Sequence, residues 1–347
     1  MCRLHWTVIG KTGFGMLILL ALLGCKPLLT APAQIPTEYT YGFSQDVFIT
    51  LNSLEKVDDY PLYVMHYVGE YDRSATANLP DNITFACSLF AALGDQENLL
   101  YGRNLDWAYS PALLLYTDPP DGYASVTMVN LTFSDFTPDS YRNLMEMTIP
   151  ERAPLLETPQ IPFDGMNEYG LTIGMAAVNE SIADHDPFRP TIDSLGIMRV
   201  VLDHARTTDE AVAIFSKYNI DFTGGPPIHY LIADSRGQSV LIEYVDGQMV
   251  VLPNEYAWNL ATNHLLSNGI KGGGSSGGRY DLLEERLAAT GGILTPVAAM
   301  NLLGDVSQRF NGTQWSVVYD SSTGSIYIAM GRNYDAVYTF QLEIVDL

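Results

Sequence analysis

The sequence predicts an α+β fold, on three observations. Strand-like segments come first, a pair of helical stretches interrupts them, and strands return on either side of a second helical pair. No strict strand–helix–strand alternation runs through the chain, so a doubly wound parallel sheet is not expected. The composition is 47% hydrophobic and 11% aromatic, enough to fill a sizeable core and to exclude a disordered protein. After a leader and linker, roughly 300 residues remain, which suits one large domain or two small ones.

The elements follow in chain order. Tyr60-Pro61-Leu62-Tyr63-Val64-Met65-His66-Tyr67 carries an apolar stripe. The run 85–93 is apolar, Gly94-Asp95-Gln96-Glu97-Asn98 is turn chemistry, and Leu99-Leu100-Tyr101 restarts a strand, so the segment reads as a β-hairpin. Ala112–Tyr116 and Ala124–Leu131 read as strands across the Asp118-Pro119-Pro120-Asp121-Gly122 turn. Residues 132–162, rich in Pro, Thr and Asp, read as a surface loop near the site. Leu171–Val178 is a further strand. Ser194–His204 and Thr208–Tyr218 have helical spacing, with Thr207-Thr208-Asp209-Glu210 offering caps to the second. Strands return at Ile228–Ala233, Val240–Tyr244 and Met249–Leu252, helices at Arg279–Ala289 and Pro296–Leu303. Trp315–Tyr319, Ser325–Ala329 and Ala336–Leu342 close the chain as a β-meander. The glycine run 272–278 is either a gate over the site or a plain linker.

Cys87 is the residue the hairpin serves. At about 3.3 Å per residue, the return strand brings Arg103 and Asp106 back to its level. A thiol beside a guanidinium and a carboxylate has a reason to be ionised and oriented. The cysteine count sharpens this. Cys2 falls in a leader whose Arg3 and Lys11 precede the apolar run Gly15–Leu23, which reads as a secretion signal and is too short for a confident membrane span. Leu22-Leu23-Gly24-Cys25 resembles a bacterial lipobox, with Cys25 as the lipidated residue. The expected divisions are therefore a signal at 1–25, a Pro-containing tether at 26–45, a pro-segment or short chain at 46–86, and the body at 87–347. Cys87 is left alone in the body of an extracytoplasmic, lipid-anchored or secreted protein, with no disulfide partner.

Cys87 followed by Gly102-Arg103-Asn104-Leu105-Asp106-Trp107 resembles the linear amide C–N hydrolases of the N-terminal-nucleophile (Ntn) group. That family includes choloylglycine hydrolase, penicillin V acylase, acid ceramidase and isopenicillin N acyltransferase. Later landmarks come in the family's order: Asp164-Gly165-Met166-Asn167-Glu168-Tyr169-Gly170-Leu171, then Thr262-Asn263, then Gly278-Arg279-Tyr280. The resemblance covers residues 83–345. It implies an αββα four-layer sandwich with two antiparallel sheets. It also implies self-cleavage at Ala86–Cys87 through an N-to-S acyl shift, as on the acid ceramidase side of the family.

The resemblance assigns roles. The freed α-amino group of Cys87, ordinarily titrating near about 7.7–8.0, would shuttle the thiol proton. Arg103 would favour the thiolate, and Asp106 would accept hydrogen bonds from the α-ammonium. Asn263 would donate to the oxyanion, a contact whose loss costs about 3 kcal/mol of barrier. The family's second oxyanion asparagine falls at Ala177 by spacing, and Asn179 is the nearest asparagine. Arg279 would steady Cys87 and Asp106 by charge. Blander readings stand beside these: Arg103 with Asp106 as a surface pair, Asn167 as a turn residue beside Gly170, Asn263 as an ordinary turn residue. His264, next to Asn263, invites a Cys–His protease reading, but nothing around Cys87 resembles a papain-type motif.

The implied activity is hydrolysis of a linear non-peptide amide, an N-acyl amine or N-acyl amino acid, through a thioester on Cys87. Acyl transfer from the same thioester is the near alternative, and a surface binding lipoprotein on a degenerate Ntn scaffold is the distant one. No cofactor is implied. The six histidines are scattered with no His-Glu-x-x-His, so no metal is implied either. A net charge of −22 argues against nucleic acid or anionic lipid head groups as partners. The expected partner is a small N-acyl amide, with membrane contact through Cys25 only.

Overall fold

The structure, a computed structural model, describes residues 42–73, 86–134, 136, 143–183, 185–223, 225–269, 278–309 and 312–345. The leader, Cys25, the tether to residue 41 and residues 272–277 of the glycine run lie outside the described residues.

Two large sheets stack face to face. The nine-stranded sheet runs β1 (Glu55–Asp58), β2 (Leu62–Tyr67), β5 (Ala112–Thr117), β6 (Ser125–Asn130), β7 (Pro162–Asn167), β8 (Thr172–Ala177), β11 (Ile228–Ala233), β12 (Ser239–Val245), β13 (Gln248–Pro253). The six-stranded sheet runs β14 (Trp258–Ala261), β3 (Ala86–Ala92), β4 (Leu100–Asp106), β15 (Thr313–Asp320), β16 (Ser325–Met330), β17 (Val337–Gln341). All neighbours are antiparallel except β2 and β5, which pair in parallel. That pair joins the segment before Cys87 to the segment after it: β2 lies between β1 and β5 as an internal strand. A short parallel pair, β9 (Thr191–Asp193) with β10 (Asn219–Asp221), stands apart.

Helices cover the outer faces. α2 (Gly196–His204) packs on β7 and β8, and α3 (Thr208–Phe215) on β11 and β12. α4 (Arg279–Thr290) lies over β14 and β3, and α5 (Pro296–Asp305) over β4 and β15. With the inner faces meeting where β3 crosses β8 and β11, the order is helices, sheet, sheet, helices. This is the four-layer αββα sandwich that the resemblance implies. α3 starts as its sequence expects, with the Thr207 hydroxyl accepting from the Glu210 amide at 3.2 Å.

Two glycines let this packing close. A Cβ on Gly174 of β8 would sit 2.7 Å from the Tyr101 hydroxyl and 3.0 Å from Leu89, so only glycine lets β8 approach the hairpin. Gly170 has φ +74° in the turn between β7 and β8, a conformation in which L side chains are strained. Asn167 completes that turn, accepting from the amides of Tyr169 and Leu171 and donating to Leu202 and Ala205 carbonyls.

The structure departs from or adds to the sequence reading in three places. Residues 132–162 are not one surface loop. Their described part winds into 3₁₀ segments at Leu131–Phe133, Leu144–Glu146 and Pro150–Gln160, with Leu144 and Leu155 fully buried. Pro154 and Pro159 lack the amides an α-helix needs there, while the apolar residues still seek the core. Arg152 fixes the segment by donating to the Leu144 and Leu51 carbonyls. The Asp164 run is a buried strand and not only a turn, since Pro162 starts β7 without interrupting its ladder. α1 (Gln45–Asn52), β1 and β14 were not legible, being short and weakly patterned.

Candidate active site

Pairing of β3 with β4 sets the site's geometry. Cys87 lies opposite Leu105, and Leu89 opposite Arg103. Side chains alternate along a strand, so Cys87 and Arg103 share the inner face, diagonal neighbours between the sheets. Ser88, Asn104 and Asp106 fall on the other face, towards α4 and α5.

On the inner face Cys87 is fully buried, and the Arg103 Nη2 donates to its Sγ at 3.7 Å. The same guanidinium is held by Asp164, Nη1 to Oδ2 at 2.7 Å, with both side chains wholly inaccessible. Tyr319 and Trp315 also donate to Asp164, at 2.6 and 3.3 Å. The guanidinium stands over the Phe163 and Trp315 rings. Burial works against charge on Arg103, but the fields of Asp164 and Cys87 outweigh it and raise its pKa. Arg103 is therefore not half of a surface pair with Asp106. Its counter-ion is Asp164, which the sequence placed in a motif without a role.

On the outer face Arg279, the first residue of α4, points its fork at the start of β3. Nη1 donates to the Cys87 carbonyl in a very short contact and to Ser88 Oγ at 2.9 Å, while Nη2 donates to Asn263 Oδ1 at 2.9 Å. Asp106 Oδ2 is 3.8 Å from Nη1. Asp106 itself accepts from Thr313 Oγ1 at 2.5 Å and Gln308 Nε2 at 2.9 Å. Burial raises its pKa, against the lowering effect of Thr313, Arg279 and Gln308.

Asn263 bridges the two sides. Its Oδ1 accepts from the Cys87 nitrogen at 2.8 Å, and its Nδ2 donates to the Ala177 carbonyl at 2.9 Å. The structure thus gives Asn263 the position against residue 87 nitrogen that the sequence reading gave Asp106. Its amide donor, read as facing an oxyanion, is turned to β8. Cys87, Arg103, Asp106, Asn263 and Arg279 are brought together. Asn179 is not: it is exposed, beyond the end of β8, and Asn263 meets the Ala177 carbonyl instead.

The thiol also differs from expectation. Burial pushes the Cys87 thiol up, and the charges of Arg103 and Arg279 only partly oppose this. With Cys87 joined to Ala86, burial favours the neutral thiol. His264 does not supply one, since its Nδ1 faces Thr262 Oγ1 at 3.1 Å and its ring packs on Tyr280. Among the described residues no cluster of three or more His, Cys, Asp or Glu could hold a metal.

Comparison with known proteins bears on this arrangement. A model of the acyl-coenzyme A:6-aminopenicillanic acid acyl-transferase family matches residues 133–343, more than half of the chain. The chain belongs to that family. It is therefore a member of the Ntn group of linear amide hydrolases and acyltransferases. The matched region holds Asp164, Asn263 and Arg279, and Cys87 lies ahead of it. Penicillin V acylase of Pectobacterium atrosepticum is 26% identical over 189 residues, 49% of this chain and 47% of the acylase, so the chain spans about half the length of that curated relative. Among solved structures, the C2A mutant of conjugated bile acid hydrolase from Clostridium perfringens superposes with a TM-score of 0.50 at 15% identity, over 76% of this chain and 98% of that one. Penicillin V acylase from Agrobacterium tumefaciens gives 0.47 at 19% identity, over 70% and 83%. The likeness to the bile acid hydrolase shows the fold.

Proposed function

We propose that this chain is a cysteine amidohydrolase that cleaves a linear non-peptide amide, an N-acyl amine or N-acyl amino acid, through a thioester on Cys87. The observation that carries the reading is the grip on one residue at two atoms. Asn263 holds its nitrogen at 2.8 Å, and Arg103 faces its sulfur at 3.7 Å. A structural cysteine needs neither contact.

Maturation comes first. The Cys87 thiol adds to the Ala86 carbonyl, the acyl group passes from nitrogen to sulfur, and water hydrolyses the thioester. Ala86 leaves with a carboxylate, and Cys87 gains a free amine. The full burial of Cys87 in the uncleaved chain supports a latent precursor. In turnover the amine takes the thiol proton as sulfur attacks the substrate carbonyl, then passes it to the leaving amine. Water attacks the thioester, releases the acid and restores the thiol. Asn263 Oδ1 is placed to keep the amine's direction throughout, Arg103 to favour sulfur's negative charge, and Arg279 to fix the backbone of residue 87. Interception of the thioester by an amine instead of water gives the acyltransferase reading, which the name of the matching family favours. Export and lipid anchoring through Cys25 complete the proposal.

Intact-mass analysis with iodoacetamide labelling tests it. Loss of everything up to Ala86, with label on Cys87, is expected. A screen of N-acyl substrates against wild type and Cys87→Ala then identifies the acyl and amine groups. Equal turnover by the Cys87→Ala variant would overturn the reading.

A further inference from the structure

The mechanism leaves one buried acid–base pair unused. His229 on β11 and Glu243 on β12 are both inaccessible and face one another, Nδ1 to Oε1 at 3.2 Å. The other ring nitrogen, Nε2, lies 2.7 Å from the Thr262 carbonyl oxygen, the peptide group that enters Asn263. Glu243 takes the far side of the same loop: Oε1 accepts from the Leu266 amide at 2.8 Å and Oε2 from the Ser267 amide at 2.9 Å. Three contacts from one pair thus bracket residues 262–267, with Asn263 between them.

Hydrogen-bond accounting fixes the protons. A carbonyl can only accept, so Nε2 must donate. Burial alone would raise the Glu243 carboxyl, yet His229, Ser267 and Leu266 hold it down to about 2, so it too accepts. The ring that satisfies both partners carries hydrogen on both nitrogens. A buried polar network of this kind is stabilising only when fully satisfied, and its geometry then has little freedom.

We propose that His229 and Glu243 are positioning residues, a buried ion pair that locks the 262–267 loop so that Asn263 Oδ1 meets the nitrogen of residue 87. This rests on the reading of Cys87 as nucleophile, because the nitrogen so held is the one that becomes the base. Two further charged or titratable groups make contacts in the loop. Arg279 donates to Asn263 itself, and His264 turns to Thr262 Oγ1. The pair touches no reacting atom and acts only through Asn263.

A double-mutant cycle separates this role from plain stabilisation. The measured quantity is the rate of cleavage at Ala86–Cys87 by intact mass in wild type, His229→Gln, Asn263→Ala and the double variant. His229→Gln is expected to slow cleavage by about 10- to 100-fold, the scale of a small misplacement at a reacting centre. In the Asn263→Ala background the same change should slow it less than about twofold. An equal slowing in both backgrounds overturns the proposal. ¹⁵N-histidine spectra of the wild type, with His229 assigned by its loss in His229→Gln, give a readout that does not depend on cleavage. Two ring protons at neutral pH are expected, and a single-proton tautomer overturns the ion pair. A wild type that never cleaves would sink the maturation reading, while the spectra still decide the pair.

Discussion

Two guanidinium groups flank Cys87, one on each face of the same sheet, and their surroundings differ. Arg103, on the inner face, is inaccessible and locked to an equally buried carboxylate, Asp164. Arg279, on the outer face, spends its fork on neutral oxygens of Cys87, Ser88 and Asn263, with Asp106 no closer than 3.8 Å. Charge neutralisation raises the pKa of the first arginine, while burial lowers that of the second. One is held for its charge at the sulfur, and the other for the direction of its N–H groups at the backbone.

The difference predicts opposite signatures. Arg103→Met strands the Asp164 carboxylate in the core, and removing one partner of a buried pair costs about 3–5 kcal/mol. Urea unfolding of the uncleaved Cys87→Ala background should show that loss. A loss under about 1 kcal/mol would mean that Asp164 is not the counter-ion. Gly174→Ala pushes on Tyr101 and Leu89 beneath the same inner face and should cost about 1–3 kcal/mol in the same assay. Arg279→Lys keeps the charge but loses the fork. It should cost only about 1–2 kcal/mol of stability, yet slow cleavage at residue 87 by about 10- to 100-fold. Should Arg279→Lys cleave at the wild-type rate, the directional role assigned to the outer face is gone.

The smallest effect concerns pH. Because burial lifts the folded thiol above its ordinary value of about 8.5, folding favours the protonated form. That contribution is fully present below the unfolded value and is lost as pH rises through the folded one. Uncleaved protein with Cys87 intact should therefore lose stability above about pH 8.5 more steeply than Cys87→Ala. Parallel alkaline slopes for cysteine and alanine chains would show the thiol to be unperturbed.

Much of this was legible in the sequence because it is local. The turn 94–98 between two apolar runs specifies the hairpin, and the hairpin alone places Arg103 diagonally from Cys87. The two helix pairs carry their own spacing and caps. What was not legible is long-range partnering. Asp164 lies 61 residues from Arg103, and Asn263 lies 176 residues from Cys87. Nothing local says that Asn263 and not Asp106 accepts from that nitrogen. Asp106 points to the outer face, where Thr313 and Gln308 take it, because strand alternation separates it from Arg103 by an odd number of residues. Asn179 is the asparagine nearest the expected spacing, but β8 ends at Ala177 and leaves Asn179 exposed. The direction of the thiol's shift is hidden for a related reason: the sequence shows the charges nearby but not the burial that outweighs them.

The account depends on residue 87 acquiring a free amine where Asn263 can hold it. N-terminal sequencing of purified, catalytically active protein tests that directly. A chain beginning Cys-Ser-Leu-Phe is predicted, and activity from protein in which residue 87 is still joined to Ala86 would contradict it.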